Sequence, residues 1–209
     1  MIKKVSVALV LFFFFQSCHV VRFFIYNFAD ARDYRKFPEK KIPASSKPFH
    51  YADASQSGLV KLPKTIKRRN KTLFFEKALQ KTGTIAFLVI RNDSILYQWY
   101  RPGRESGDVV ASFSISKSFV STLFGIAISE GLIKSIDEPI TNYLDFLDKQ
   151  KFGKVTIAHV LNMRSGIKFN ENYFNPFGDI AKYYYGTNLK KYIRHLDMEE
   201  EPGKNFHYT

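Results

Sequence analysis

Ser114 and Lys117 form one of two Ser-x-x-Lys arrangements in the 209-residue sequence. In the other arrangement, Ser165 precedes Gly166 and a polar run, so no helix is expected to hold Lys168 against the serine. Ser114 instead opens the segment SISKSFVSTLFGIAISEGL, whose apolar residues recur at helical spacing. The spacing predicts a helix on which the serine hydroxyl and the lysine amine lie one turn apart on the same face.

Two roles fit the serine of this predicted helix. Because the helix is mostly apolar, we expect it to be buried on most sides, and burial favours a neutral amine that takes the serine proton. The helix N-terminus would add positive potential and free N–H groups near a reacting oxygen. In the structural alternative, Ser112 or Ser114 caps the helix and Lys117 extends to water. The helix alone leaves both roles open.

The first 18 residues carry an export pattern. Two lysines in MIKK precede an apolar run from Val5 to Phe15, and Gln16-Ser17-Cys18 follows. Cys18 is the only cysteine, so it cannot form an internal disulfide. The pattern resembles a bacterial lipoprotein signal with Cys18 as the lipid attachment site, which predicts a membrane-attached protein facing the periplasm or cell surface. An uncleaved anchor and a plain secretion signal are the alternatives, and both also predict export.

Charge and composition limit the function classes. The net charge is +13, and residues 30–77 carry 13 Lys and Arg against 5 Asp and Glu. Because this stretch contains several prolines, it predicts an extended, solvated linker, with contact to anionic lipid headgroups as the alternative and no nucleic-acid function. The five histidines show no ligand spacing and no Gly-rich phosphate loop is present, so neither a metal nor a cofactor is expected.

The remaining patterns predict the elements that position the chemistry. The segments TIAFLVI and SILYQWY flank the polar residues 91–93 and predict a β-hairpin. The segment KTLFFEKALQK, residues 71–81, predicts a short amphipathic helix. We therefore expect a signal peptide at 1–18, a basic N-terminal segment at 19–80 and a folded domain at 81–209.

Three motifs follow one another in the predicted domain: the Ser114 helix with its continuation GLIKSIDEPI, the segment KVTIAHVLNMRSGI, and the stretch EPGKNFHYT. From about Gly83 to Thr209 they resemble the β-lactamase-related serine hydrolases, which include class C β-lactamases, DD-peptidases, esterases and 6-aminohexanoate-dimer hydrolases. The Met-Arg-Ser-Gly form is closest to the amidase and esterase branch. The resemblance implies an α+β fold of the β-lactamase/transpeptidase type, with an antiparallel sheet flanked by helices and a helical subdomain.

The same resemblance assigns expected roles to individual residues. Ser114 would be the acylated nucleophile, and its N–H would supply half of the oxyanion hole. Lys117 would help to deprotonate Ser114, and Tyr208 would pass protons to the leaving group as a phenolate or through its hydroxyl. Packing beside a Pro-Gly turn is the alternative for Tyr208. Arg164 and Ser165 are expected to fix a loop near the site.

The expected function is an exported serine hydrolase that acts through an acyl-enzyme on a small ester, amide or lactam, or on a peptidoglycan-derived substrate. The alternatives are a non-catalytic sensor that binds a β-lactam or peptidoglycan fragment, and an inactive fragment. The tyrosine run 183–185 either lines a substrate cleft or packs within the helical domain. In the family pattern, further helices and a Lys/His/Trp-Thr/Ser-Gly strand with the second oxyanion donor follow the tyrosine. Because the sequence ends at Thr209, we expect an N-terminal fragment of a longer hydrolase that lacks full activity.

Overall fold

A computed structural model of the chain describes residues 19–26, 28–68 and 70–209. The predicted signal peptide, residues 1–18 with Cys18, lies outside the described residues. Within the described ranges, no helix is both long enough and apolar enough to cross a membrane.

The described chain folds into short helices and strands. In chain order they are α1 (His19–Tyr26), β1 (Ala52–Asp53), β2 (Thr65–Arg68), β3 (Lys71–Phe74), α2 (Phe75–Lys81), β4 (Ala86–Arg91), β5 (Ser94–Tyr100), α3 (Ser116–Ser129), α4 (Lys149–Phe152), α5 (Ile157–Leu161), α6 (Asp179–Tyr185) and α7 (Leu189–Arg194). Short 3₁₀ turns lie at Asp33–Arg35, Phe113–Ile115 and Ile140–Asn142. One compact unit comprises residues 37–110, and the other joins residues 19–36 to residues 111–209. The three regions expected from sequence stay a prediction.

The predicted hairpin is present in the unit of residues 37–110. β4 and β5 pair in antiparallel register, with Arg91 opposite Ser94. Asn92 and Asp93 close the hairpin with φ angles of 48° and 54°, the left-handed pair that a two-residue type I′ turn requires. β1 pairs in parallel with the other edge of β5, so the strand order is β1-β5-β4. β2 and β3 form a separate two-stranded sheet.

The helix expected over residues 71–81 begins later than its pattern indicates. Its first residues form β3, which pairs with β2, and only Phe75–Lys81 are helical. Cross-strand pairing satisfies the backbone of β3, whose Thr and Phe residues favour strand. The helix then packs on the hairpin through an aromatic cluster, in which the Phe75 ring lies 5.5 Å from the Phe87 ring and 6.5 Å from the Tyr97 ring.

The helical unit has a small apolar core under α4 and α5. Leu147, Phe152 and Val155 form the core, and Phe152 is 1 % exposed. Thr156 and His159 close a capping box at the start of α5, since each side chain accepts a hydrogen bond from the other residue's backbone N–H. His159 therefore has a structural role at the start of α5, and the core fixes the segment that leads into the Met-Arg-Ser-Gly motif.

The stretch after residue 18 differs from its expected extended form. His19–Tyr26 fold into α1, which packs against α6. The rings of Phe23 and Tyr26 lie 5.5 Å and 6.5 Å from the Tyr185 ring. Contacts with a distant aromatic helix therefore stabilise a helix that is too short to persist alone.

The helix expected at Ser114 is present, but its expected burial is wrong. A 3₁₀ turn at Phe113–Ile115 leads into α3, and Gly131 ends the helix with a φ of 72°. No residue of α3 is buried, and Phe119 is 68 % exposed. Lys117 is also exposed, so the argument that burial activates its amine does not hold in this structure.

Replacing Phe152 by Ala tests whether the core below α4 and α5 supports the helical unit. Because Phe152 is fully enclosed, we expect Phe152→Ala to lower the free energy of unfolding by about 3–5 kcal/mol. Phe177→Ala is the matched control, since Phe177 is 70 % exposed, and it should change stability by less than about 0.5 kcal/mol. Urea unfolding followed by circular dichroism measures both, and equal losses would contradict the assigned core.

Candidate active site

Ser114 lies in the 3₁₀ turn that precedes α3, directly after a strained residue. Phe113 has a φ of 46°, in the left-handed region that a residue with a large side chain rarely adopts. Such strain costs about 1–3 kcal/mol and concentrates at functional sites. The Ser114 side chain does not cap the helix, because the N-cap position of α3 is Ile115 and no side chain bonds to it. The turn therefore leaves the Ser114 hydroxyl available.

The three residues expected to perform catalysis come together at this turn. The Tyr208 hydroxyl donates a hydrogen bond of 2.7 Å to Ser114 Oγ, across 94 positions of sequence. Lys117 Nζ lies 5.3 Å from the centroid of the Tyr208 ring. A cation at this distance is attracted to the face of the aromatic ring. The serine hydroxyl, the lysine cation and the phenol thus lie together, whereas a capping serine with a remote lysine would not produce this arrangement.

Tyr208 reaches the site because its segment is fastened to the turn after α5. The His207 N–H donates to the Met163 carbonyl at 2.8 Å, and the Gly203 N–H donates to the Arg164 carbonyl at 2.7 Å. The Arg164 side chain returns a bond of 3.1 Å to the Lys204 carbonyl. Arg164 therefore fixes a loop beside the site, as expected, and it acts by holding the segment that carries Tyr208.

Gly166 lets the same two segments approach each other closely, because it has no side chain. Its φ is 71°, and an added Cβ would lie 2.3 Å from the Glu200 carbonyl oxygen. The Glu199 N–H donates to the Gly166 carbonyl at 2.8 Å. Only glycine combines this backbone angle with so close an approach. The glycine of the motif is thus needed for the close approach of the two segments that supports Tyr208.

The second Ser-x-x-Lys arrangement forms no site. Ser165 Oγ accepts a bond of 3.3 Å from the Ile167 N–H, and the Lys168 N–H donates to the Asp197 carbonyl at 2.8 Å. The two residues stand in a loop rather than on one helix face, as expected from the glycine between them.

A cavity of 410 Å³ opens beside Ser114, Lys117 and Thr209. Its wall is largely aromatic and includes Phe23, Phe28, Phe113, Phe169, Tyr184 and Tyr185. The tyrosine run therefore both lines the cleft and packs in the helical unit, since Tyr185 is only 4 % exposed. Sequence reasoning missed the contribution of Phe23 and Phe28, which lie in a short apolar stretch after the predicted signal peptide.

Few charged groups line the cavity. Lys117 is the cation among the residues that line it, and Glu171 is the carboxylate. Tyr173 lines it too, and partial burial, together with the charge of Glu171, raises the pKa of Tyr173 above its usual value. The cavity is thus close to neutral overall, with its single positive charge beside Ser114.

Comparison with known proteins identifies the family. Residues 74–209 match the family model described as Beta-lactamase. The chain belongs to the β-lactamase family. A 6-aminohexanoate-dimer hydrolase of Paenarthrobacter ureafaciens is 34% identical over 105 residues, which are 50% of this chain and 26% of that protein.

A solved structure shows the fold of the family. The chain of a Bacillus anthracis protein provisionally described as a 6-aminohexanoate-dimer hydrolase superposes with a TM-score of 0.57 at 17% identity, over 76% of this β-lactamase-family chain and 47% of that one. The expected family and its α+β, β-lactamase-like fold are therefore confirmed. This β-lactamase-family chain spans about half or less of both relatives, and its membership supports a serine hydrolase in general terms. The catalytic roles of Ser114, Lys117 and Tyr208 stay predictions.

Two glycine substitutions separate backbone strain from steric displacement in this β-lactamase-family chain. Gly131 and Gly166 both have positive φ, but nothing lies within 4 Å of a Cβ added at Gly131. We expect Gly131→Ala to cost about 1–2 kcal/mol through backbone strain alone. Gly166→Ala should cost about 1–3 kcal/mol more, because the Glu200 carbonyl must move.

The matching local measurement is hydrogen exchange at the His207 N–H, which bonds to Met163. Exchange should become faster in Gly166→Ala and stay unchanged in Gly131→Ala. Unchanged exchange in Gly166→Ala would show that the crossing at Gly166 does not hold Tyr208 in place.

Proposed function

We propose that this chain is the acylating part of an exported serine hydrolase that cleaves an ester, amide or lactam through an acyl-enzyme on Ser114. The observation that carries the proposal is the 2.7 Å contact between the Tyr208 hydroxyl and Ser114 Oγ beside Lys117 Nζ. Ser114 and Lys117 also line a cavity large enough for a small organic substrate.

In the first half-reaction, Ser114 Oγ forms a bond to the substrate carbonyl carbon. Before this step the Tyr208 hydroxyl releases to water the proton that it donates to Ser114 Oγ. The Ser114 proton then passes to the phenolate oxygen of Tyr208, with Lys117 Nζ beside the ring. The bond from the carbonyl carbon to the leaving oxygen or nitrogen then breaks, and the leaving group takes the proton from Tyr208. The Ser114 N–H donates to the developing oxyanion.

In the second half-reaction, water replaces the leaving group. Tyr208 accepts a proton from the water while the water oxygen bonds to the acyl carbon. The bond from that carbon to Ser114 Oγ breaks, and the proton returns to Ser114 as the carboxylic acid leaves. The same pair of side chains thus serves both steps, with one proton held between them.

Within the three substrate classes, a linear amide or ester is favoured over a lactam. The curated relative that matches half of this chain carries the name of a dimer hydrolase, and the Met-Arg-Ser-Gly form of the turn is closest to the amidase and esterase branch. The open, aromatic cavity beside Ser114 also leaves room for an extended substrate.

Acylation of Ser114 tests the mechanism directly. Incubation of the 209-residue chain with p-nitrophenyl butyrate should add one butyryl group to Ser114, detected by intact-protein mass spectrometry and peptide mapping. We expect Ser114→Ala to lower the acylation rate at least about 10³-fold. Lys117→Met and Tyr208→Phe should each lower it about 10²–10⁴-fold, because Tyr208 carries the transferred proton and Lys117 is the cation beside it.

The second Ser-x-x-Lys arrangement supplies the matched controls. Ser165→Ala and Lys168→Met should leave the acylation rate within about 2-fold of the original chain, because neither side chain faces the cavity. Absence of the butyryl adduct, or its presence in Ser114→Ala, overturns the proposal. A butyryl adduct that persists for hours without hydrolysis would favour the sensor alternative over a turnover enzyme.

Export and membrane attachment are a second part of the proposal. The support is the sequence of residues 1–18, with Cys18 after a small residue and an apolar run. In a bacterial host, the chain should partition into the detergent phase of Triton X-114, and Cys18→Ser should move it to the aqueous phase if a lipid on Cys18 is the anchor. Ser17→Ala, which keeps a small residue at that position, is the control and should stay in the detergent phase.

A further inference from the structure

We infer that residues 19–26 and 28–36, hereafter the N-terminal wall, determine acyl-group specificity at Ser114 and select an uncharged, apolar acyl chain. The inference rests on the proposed function, because it names the substrate class of the same cavity. The wall supplies Phe23, Phe28 and Ala29 to the cavity that Ser114 and Lys117 also line. These three residues lie outside positions 74–209, which match the family model. This part of the cavity is therefore built by residues outside the matched region.

The N-terminal wall is fastened to the segment that carries Ser114. The Ala111 N–H, three positions before Ser114, donates to the Ala31 carbonyl at 3.1 Å. At the other end of the wall, the Phe23 ring packs edge-on against the Tyr185 ring at 5.5 Å. A bond to the catalytic segment at one point and ring packing on α6 at another keep the wall in a fixed place beside the cavity.

A buried carboxylate locks the wall to α6. Asp33 is 3 % exposed, forms an ion pair of 2.7 Å with Lys36, and accepts a hydrogen bond from the Tyr184 hydroxyl. Burial alone would raise the pKa of Asp33, but the hydrogen bonds from Lys36 and Tyr184 outweigh burial and hold this pKa below its usual value. Burial and the bond to Asp33 raise the pKa of Tyr184, so its hydroxyl stays protonated.

The sign of the Asp33 shift sets the pH range of the lock. Because its folded pKa is lowered, Asp33 stabilises the docked wall above the ordinary pKa of an aspartate, near 4. That stabilisation is lost as the pH falls through the lower folded value. The lock is therefore fully formed at neutral pH, where hydrolase assays are run.

The chemistry of the wall favours an apolar acyl group. Phe23 and Phe28 present hydrocarbon surface to the cavity, and Glu171 is the carboxylate among the described residues that line it. Removing one methylene group from water strengthens binding about 4-fold. A cavity of 410 Å³ accommodates an acyl chain of several carbons against the wall.

The test compares acylation of Ser114 by p-nitrophenyl acetate, butyrate, hexanoate and 6-aminohexanoate, with intact-protein mass spectrometry as the readout. For the 209-residue chain, the rate with hexanoate should exceed the rate with acetate at least about 10-fold. The rate with hexanoate should also exceed that with 6-aminohexanoate, because a terminal ammonium loses hydration at an apolar wall.

Two substitutions disrupt the N-terminal wall in different ways. Phe28→Ala removes a ring that is 58 % exposed, so the chain should still fold. The ratio of the hexanoate acylation rate to the acetate acylation rate (the hexanoate-to-acetate ratio) should fall at least about 5-fold. Asp33→Asn keeps every ring but weakens the lock. It should lower the same ratio and speed hydrogen exchange at the Ala111 N–H.

Matched controls lie beside both substituted residues. Phe24 is 69 % exposed and does not line the cavity, and Asp30 faces Lys36 from an exposed position at 3.6 Å. Phe24→Ala and Asp30→Asn should leave the hexanoate-to-acetate ratio unchanged.

The outcomes separate the two proposals. If no ester acylates Ser114, the proposed function fails and the inference fails with it. If acetate acylates Ser114 but the chain-length ratio is flat, or is unaltered in Phe28→Ala and Asp33→Asn, the function stands and the wall has no role in specificity. A preference for 6-aminohexanoate over hexanoate would overturn the choice of an apolar acyl group.

Discussion

The structure depends most on the backbone hydrogen bonds that join the turn after α5 to the segment ending in Tyr208. The carbonyls of Met163 and Arg164 accept from His207 and Gly203, and Gly166 permits the crossing because any side chain there would meet the Glu200 carbonyl. Backbone bonds of this kind leave little freedom of position, so they place the Tyr208 hydroxyl against Ser114. The small core beneath α4 and α5 matters to chemistry because it holds this turn.

A strained turn, rather than burial, positions Ser114. Phe113 adopts a left-handed angle immediately before Ser114, and the following helix α3 has no buried residue. Electrostatic stabilisation by helix N–H groups and by Lys117 weakens where water has access. In this chain, the proposed chemistry therefore depends on the direct hydrogen bond between Tyr208 and Ser114 rather than on desolvation by an apolar helix.

The N-terminal wall brings together two stretches that lie far apart in the sequence. A short apolar stretch after the predicted signal peptide packs on the tyrosines of α6, and the buried Asp33 joins the same helix through Tyr184. The result encloses one side of the cavity at Ser114. If Cys18 anchors the protein, the substrate cavity is built partly from the residues next to the anchor, so export and specificity would involve the same stretch of chain.

Local residue patterns were enough to predict the hairpin with its Asn92-Asp93 turn and the helix that follows Ser114, because neighbouring residues specify such angles and spacing. The residues proposed for catalysis were named from the resemblance to family motifs, and their roles stay predictions. Only the tertiary structure decided that Tyr208 meets Ser114, that α1 packs on α6, and that α3 is exposed. Each of these depends on segments far apart in the chain or on what covers a helix, and the periodicity of one segment contains no information about its partner.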